Sequence, residues 1–215
     1  MLVHRWDSAV DDSEWQAFLV AQGFGHLVAA GRGRDVPVVV PTQFVLDGSA
    51  VVLHLARPNP IWAAIDENPL VVLSVAGDWA YVPSTWKAIG DEDPRLGIPT
   101  TYYGAVQLTG PARVLDDPAD VAALLRTQLG HLEPGNDRAD PIEDGARLGQ
   151  IRGIRLTPTD VRAKFKYGGN VDEAHRQAIA ERLATRDGAG DQAARAHLLQ
   201  RGARETSWGT NQSST

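Results

Sequence analysis

The sequence predicts a domain built mainly from β-strands, with helices inserted between the strands and appended after them. Short β-rich stretches follow one another at close spacing, and turn residues separate them. A hydrophobic fraction of 43% in 215 residues is enough for one proper core. Because strands joined by short turns form antiparallel meanders, this rhythm favours a small antiparallel β-barrel.

The first half of the chain is predicted to place one helix before three strands. The acidic start at Asp11 or Asp12, followed by apolar residues at helical spacing, predicts a helix that ends near Gln22. The β-rich stretches that follow are residues 24–30, 36–46 and 50–56. Glycine-containing turns separate them, and Asp47-Gly48 is typical of a hairpin.

The second half is predicted to alternate strands and helices before a polar end. Strands are expected at residues 70–82, 100–115, 151–156 and 161–167, and helices at 59–67, 118–131, 171–186 and 192–200. We therefore expect a barrel domain with its N-terminal helix over residues 1–170 and appended helices over 171–201. A disordered tail is expected over 202–215, which lacks an apolar pattern.

Composition and charge exclude several classes of protein. The chain has no cysteine, so disulfides and thiolate metal sites are excluded, and no His, Asp and Glu cluster indicates another metal site. No signal peptide or membrane-spanning stretch is predicted, which favours a cytoplasmic protein without a membrane partner. The net charge of −6 and the lack of a recognition-helix pattern argue against specific DNA binding by the isolated chain.

A strand-to-helix turn is the most informative short stretch. The predicted strand ends at Arg57, and Asn59 can cap a helix that has Pro60 at its first position. A guanidinium group beside free helix N–H groups suits a phosphate. The local pattern alone nevertheless favours the simpler interpretation, in which the turn carries a solvated arginine.

Two further stretches combine cations with aromatic or hydroxyl groups. Ser84, Trp86 and Lys87 follow a predicted strand and could bind a phosphate and a flat ring, although a core or rim position is the favoured interpretation for any single aromatic residue. Lys164 and Lys166 are two of only three lysines in the chain, and their spacing on a strand places both on one face. That face could be solvated or could meet a phosphate.

Taken in order, these stretches resemble the PaiB family of FMN-binding negative transcriptional regulators. The resemblance covers roughly residues 24–170. Its specific motifs are His54-Leu55-Ala56-Arg57-Pro58-Asn59-Pro60 and Ala80-Tyr81-Val82-Pro83-Ser84-Thr85-Trp86. Ile98-Pro99-Thr100-Thr101-Tyr102-Tyr103 and Lys164-Phe165-Lys166-Tyr167-Gly168-Gly169-Asn170 support it.

The resemblance implies a fold and a cofactor. The fold is a six-stranded antiparallel split β-barrel, similar to those of flavin reductases and pyridoxamine-phosphate oxidases, which forms a homodimer with FMN between the protomers. The residues that the resemblance places at the flavin or its phosphate are His54, Arg57, Asn59, Ser84, Trp86, Lys87, Lys164 and Lys166.

The chain departs from the family pattern at two places. The family usually has Trp-Asn-Tyr where this chain has Thr101-Tyr102-Tyr103, and Ser-Gln-Asn where it has Gly168-Gly169-Asn170. The departures remove polar side chains from an expected binding edge. Three functions therefore stay open: a regulatory FMN-binding protein, a flavin-dependent oxidoreductase acting on a small molecule, and a barrel that has lost flavin and acts through protein contacts.

Overall fold

A computed structural model describes residues 1–135, 140–141 and 145–208. The eight strands are β1 (Phe24–Ala29), β2 (Val38–Gln43), β3 (Val45–Asp47), β4 (Ala50–Ala56), β5 (Leu70–Val82), β6 (Thr100–Leu115), β7 (Ile151–Leu156) and β8 (Asp160–Lys166). The helices are α1 (Asp12–Gln22), α2 (Ile61–Glu67), α3 (Pro118–Leu132), α4 (Gly145–Leu148), α5 (Glu173–Arg186) and α6 (Asp191–Trp208). Short 3-10 turns lie at Arg5–Asp7, Ser84–Lys87 and Pro94–Leu96.

The strands form one eight-stranded sheet, and the strand pairs described below are antiparallel. The order is β2-β1-β5-β6-β7-β4-β3, and β8 pairs with β6. Strand β1 pairs antiparallel with β2 and with β5, and β4 pairs antiparallel with β3 and with β7. The hairpin predicted at Asp47-Gly48 joins β3 to β4, and Gly48 takes a positive φ of 63° there, as tight hairpin turns require.

The chain divides into two compact units. The first unit comprises Met1–Asp11, Ala76–Ala105 and the chain from Ala163 onward, and the second comprises Asp12–Val75 and Val106–Arg162. Strands β5, β6 and β8 have residues in both units.

Each unit has its own buried apolar residues. In the second unit the sheet and helix α3 share a cluster made of Val45, Val52, Leu115 and Leu124. In the first unit Phe165, Tyr167 and Leu183 are fully buried. Helices α5 and α6 pack together, and His197 of α6 stacks on the rings of Phe165 and Tyr167. The appended helices therefore contribute buried side chains to the core of the first unit.

Capping residues set where two of the helices begin. Asp117 accepts a hydrogen bond from Ala119 N, with Pro118 as the first residue of α3. Asp172 accepts one from His175 N at the start of α5. Both starts are close to those expected, at residues 118 and 171.

The structure differs from the sequence-based prediction in strand count and in the last helix. The resemblance implied six strands and the sequence pattern seven β-rich stretches, whereas the described residues form eight strands, because the stretch 36–46 breaks at Phe44, which is buried and separates β2 from β3. Helix α6 runs on to Trp208, so its backbone includes seven residues of the tail expected from residue 202. Residues 209–215 of that tail lie outside the described residues.

Candidate functional site

Arg57 lies at the end of β4 in the second unit, and its guanidinium group already has protein partners. Its Nε donates to Gly149 O at 2.8 Å, and its Nη2 donates to Asp116 Oδ1 at 2.7 Å. The hydrogen bond from Arg57, followed by the charge of Arg152, lowers the pKa of the Asp116 carboxyl. The side chains of Arg57 and Asp116 remain 44% and 48% exposed. Much of the positive charge of Arg57 is therefore offset by Asp116.

Asn59 organises the turn after Arg57, as its sequence pattern predicts. Its Oδ1 accepts a hydrogen bond from Ile61 N at 3.1 Å. Trp62 in the first turn of α2 donates its indole N–H to Ala56 O at 2.9 Å, and the guanidinium of Arg152 lies 4.8 Å from the Trp62 ring centroid. These contacts fix the strand-to-helix corner by means of its own side chains.

His54 has a different partner from its neighbours in the same motif. Its Nδ1 lies 2.6 Å from Oε1 of Gln128, a buried residue on α3. Among the described residues, no hydrogen bond joins His54, Arg57 and Asn59 to one another. The structure thus places the first motif in one unit but gives each of its polar side chains a separate local partner.

In the first unit, helix α5 holds the turn that carries Ser84, Trp86 and Lys87. Arg182 donates from Nη1 to Trp86 O and from Nη2 to Ala88 O, the latter at 3.0 Å. The guanidinium of Arg186 lies 4.5 Å from the Trp86 ring centroid.

Arg186 is itself fixed by Asp191, with hydrogen bonds of 2.7 and 2.5 Å to the two carboxylate oxygens. The Asp191 side chain is 1% exposed, so the pair is held in one geometry. Sequence reasoning missed Arg182 and Arg186, because their contacts with residues about a hundred positions earlier leave no local pattern.

Lys164 and Lys166 both lie on β8, but their surroundings differ. Lys164 is 9% exposed and donates from Nζ to Leu2 O at 3.0 Å, with Asp7 Oδ2 at 4.0 Å. Lys166 is half-buried and donates from Nζ to Thr100 Oγ1 at 2.8 Å. The N-terminal segment therefore engages Lys164, whereas Lys166 has a neutral hydroxyl partner and no ion pair with a described residue.

The carboxyl group of Asp7 is the negative charge that lies next to Lys164. Burial raises the pKa of Asp7, while the charges of Lys164, His4, Lys166 and Arg201 lower it in part. Asp7 is 3% exposed. The lysine face that the sequence left as either solvated or phosphate-binding is thus partly covered by Met1–Asp11 of the same unit.

The first unit also contains an open cleft of about 530 Å³. The loop from Lys87 to Ile98 forms one wall, and the start of α5 forms the other. Its lining residues are Lys87, Ala88, Glu92, Asp93, Leu96, Gly97, Ile98, Asn170, Val171, Asp172 and His175. The volume is within the range of small-molecule sites.

His175 joins the two walls of this cleft. Its Nδ1 lies 2.7 Å from Asp172 Oδ2, and its Nε2 lies 3.0 Å from Glu92 Oε2. The hydrogen bond with Asp172, followed by that with Glu92, raises the pKa of His175 above its ordinary value of 6.5. Since both ring nitrogens face carboxylates, the protonated imidazolium form fits this geometry best.

Two kinds of feature are absent from the described part of the chain. Over residues 1–135, 140–141 and 145–208, no group of three or more His, Asp and Glu side chains could hold a metal ion. In that same part of the chain, none of the helices has the length and apolar character needed to cross a membrane.

Similarity to known proteins identifies the family. Residues 1–160 match a family model described as "Putative FMN-binding domain". The protein "Protease synthase and sporulation protein PAI 2" of Bacillus subtilis (strain 168) is 24% identical over 191 residues, which cover 85% of this chain and 89% of that protein. This relative confirms the resemblance to PaiB-type proteins.

Solved structures of flavoproteins are similar in fold. The FAD and heme binding protein from Mycobacterium smegmatis has a TM-score of 0.60 at 17% identity, over 81% of this chain and 80% of that chain. The flavocytochrome Anf3 from Azotobacter vinelandii has a TM-score of 0.57 at 21% identity, over 77% and 73%. The predicted split-barrel class is therefore confirmed. Because the family model spans residues 1–160, this chain belongs to the FMN-binding domain family, as a PaiB-type member with FMN as its cofactor.

Proposed function

We propose that the FMN phosphate binds at Lys166 and Thr100 in the first unit. The observation that carries this proposal is the half-buried Lys166 ammonium group, whose hydrogen-bond partner is a neutral hydroxyl. A partly desolvated cation without a carboxylate at ion-pair distance in the described chain is a site at which a dianion is stabilised. The residues present therefore fit a phosphate, with Thr100 Oγ1 as a further donor.

Arg57 is a weaker candidate for binding the phosphate than the resemblance implied. Its Nε and Nη2 donate to Gly149 O and to Asp116, so a phosphate would compete with a carboxylate that is already bound. We keep His54, Arg57 and Asn59, together with Ser84, Trp86 and Lys164, as proposed surroundings of the flavin. Lys87 lines the cleft between the loop from Lys87 to Ile98 and the start of α5.

Titration of the purified protein with FMN, followed by quenching of flavin fluorescence, tests the phosphate site. Lys166→Met should weaken binding by about 1.5–3 kcal/mol, the usual range for a hydrogen bond to a charged group, or roughly 10- to 100-fold. The matched control is Arg162→Met on the same strand, whose exposed side chain pairs with Asp160. Equal affinity of the Lys166→Met variant and the wild type would place the phosphate elsewhere.

We propose, as the second part of the function, a regulatory role that does not depend on reading DNA directly. Three cations of the last two helices have internal partners: Arg176 is 2% exposed, Arg186 is paired with Asp191, and Arg201 donates to Ser8 O. Together with the net charge of −6, these pairings reduce the positive surface that the helices offer to phosphates. A footprint on duplex DNA at physiological salt, with affinity well above nonspecific binding, would contradict this part.

The alternative function is a flavin-dependent oxidoreductase. Bound FMN would supply hydride or single-electron transfer, so the protein itself needs only to bind and orient the partners. Steady oxidation of NADH or NADPH by the FMN-loaded protein, with a small molecule as acceptor, would favour this alternative. Retention of FMN without such turnover would favour the regulatory role. We propose that the protein acts as a homodimer in the cytoplasm.

A further inference from the structure

The charged side chains that line the cleft of the first unit differ in whether they have an ion-pair partner. Each carboxylate that lines the cleft has a cationic partner: Glu92 and Asp172 share His175, and Asp93 accepts from Arg95 at 2.7 Å. Lys87, by contrast, has no ion pair with any residue in the described ranges. The cleft therefore favours a ligand with a negative group near Lys87.

The same cleft has an apolar wall whose side chains are exposed to water. Leu96 and Ile98 line the cleft and are 81% and 70% exposed. Ala88 and Val171 complete the apolar part of the lining. An apolar body placed against these side chains would remove their surface from water.

The two walls are held in place by side chains rather than by loop backbone alone. His175 bonds to Glu92 on the loop wall and to Asp172 on the α5 wall. Arg182 on the same helix donates to Ala88 O at 3.0 Å. A cleft with fixed walls costs less ordering free energy on binding than one that must first form.

We propose that this cleft binds a small molecule with an apolar body and one anionic group, the anion lying at Lys87 and the body against Leu96 and Ile98. This goes beyond the flavin site, because neither Lys166 nor Thr100 lines the cleft. The ligand would be the effector or the substrate of the FMN protein, and this role, unlike the binding itself, rests on the proposed function.

Displacement of a fluorescent probe tests the ligand class. Anilinonaphthalenesulfonate, an aromatic anion whose emission rises in apolar surroundings, is titrated into the full-length protein. Naphthoate and naphthylmethylamine, which differ mainly in the sign of their charge, then compete with it. We expect naphthoate to displace the probe at a concentration roughly tenfold lower than the amine, as a charged hydrogen bond predicts.

Two variants and two controls assign the binding to this cleft. Lys87→Met should remove the preference for naphthoate over the amine, and Ile98→Asp should weaken binding of the probe at least tenfold. Val36→Asp is the control for Ile98→Asp, because Val36 is 72% exposed, close to the 70% of Ile98, and does not line the cleft. Arg113→Met, at an exposed cation in the second unit, is the control for Lys87→Met. Circular dichroism confirms that each variant is folded.

Each outcome decides between the possibilities. Probe binding that depends on Ile98 and Lys87, and that saturating FMN does not displace, supports the proposal even if FMN affinity proves independent of Lys166. Displacement of the probe by one equivalent of FMN would show that the cleft holds the flavin itself, which overturns the second ligand while supporting FMN binding. Equal competition by the amine, or binding unaffected by Ile98→Asp in a folded variant, would also overturn the proposal.

Discussion

Gly168 and Tyr102 occupy two positions at which the chain departs from its family pattern, and in the structure they lie against each other. Gly168 has a positive φ of 69°, and a Cβ atom there would be 2.7 Å from the Tyr102 hydroxyl. The large side chain of Tyr102 on β6 thus packs where the residue after β8, Gly168, has no side chain. The missing polar side chain at position 168 is explained by packing inside the first unit, so it does not argue against flavin binding.

The cost of a side chain at position 168 can be separated into backbone and steric parts. Gly168→Ala should destabilise the protein by about 1–3 kcal/mol, because it adds both a strained φ and a clash with Tyr102. Gly33→Ala is the matched control: Gly33 has a φ of 66°, and its Cβ would meet nothing within 4 Å. Urea unfolding of both variants checks the prediction, and equal losses would show that Tyr102 does not restrict position 168.

His175 gives the first unit a pH-dependent contact with a defined sign. Its pKa in the folded protein is raised, so its contribution to stability is complete below about 6.5, the usual value in an unfolded chain, and is lost as pH rises through the folded value. The pKa values of Glu92 and Asp172 are lowered, mainly by hydrogen bonds with His175, so their contributions are lost when pH falls through those lowered values. The contact is therefore strongest in mildly acidic solution.

An NMR titration of the histidine ring signals tests this assignment. We expect the His175 ring to titrate above pH 6.5 and to shift toward the ordinary value in Glu92→Gln, because the amide no longer offers a negative charge. An unchanged His175 titration in Glu92→Gln would show that the loop wall is not held by this contact.

Among the elements, the N-terminal segment Met1–Asp11 has the least expected role. Lys164 donates to Leu2 O and faces the buried Asp7, and Arg201 on α6 donates to Ser8 O at 3.0 Å. A Cβ on Gly169 would collide with Trp6 O, so the second glycine of the departing motif makes room for this segment. The segment thus connects β8 with the last helix inside the first unit.

Replacement of Lys164 should loosen this segment in a pH-dependent way. Lys164→Met removes the hydrogen bond to Leu2 O and leaves the Asp7 carboxylate buried without its nearest cation, which should cost about 1–3 kcal/mol near pH 7. The pKa of Asp7 is already raised by burial, and loss of the lysine should raise it further. The loss of stability should therefore shrink as pH falls through that pKa, because a neutral acid needs no cation.

Urea unfolding at a series of pH values measures this effect. Arg162→Met, on the exposed part of the same strand, serves as the control and should change stability by less than about 0.5 kcal/mol at every pH. A Lys164→Met loss that did not vary with pH would mean that packing, and not the charge of Asp7, makes Lys164 important.

For the whole molecule, the homodimer is the proposal that surface composition supports most directly. Trp79 and Tyr81 alternate with buried residues on β5, share one face, and are 60% and 49% exposed. Adjacent exposed aromatic side chains on a strand are typical of protein interfaces, and the resemblance implies a homodimer.

Light scattering coupled to size-exclusion chromatography tests the dimer. We expect twice the mass of the chain for the wild type, and a shift toward the monomer for Trp79→Asp, because a carboxylate would be desolvated at the interface. Val39→Asp, at a 51% exposed residue of β2, is the control. A monomeric wild type at micromolar concentration, with or without FMN, would contradict the proposal.

Local sequence determined the secondary structure and the class of fold. Helices α1, α2, α3 and α5 begin within about two residues of their predicted starts, since capping residues, prolines and apolar periodicity act over a few positions. The turn chemistry between strands predicted antiparallel pairing for the same reason. The motifs of the resemblance then implied FMN as the cofactor, and the family model that matches residues 1–160 agrees.

Tertiary structure alone decided how the predicted site residues are used. Strand spacing placed Lys164 and Lys166 on one face, but only the folded chain brings Leu2 and Asp7 to Lys164 and leaves Lys166 with Thr100. Likewise, the resemblance places Arg57 at the phosphate, but only the folded chain shows that Asp116 lies beside it. The physical reason is that charges interact through space over a few ångströms, and their partners lie tens to hundreds of residues away in the sequence.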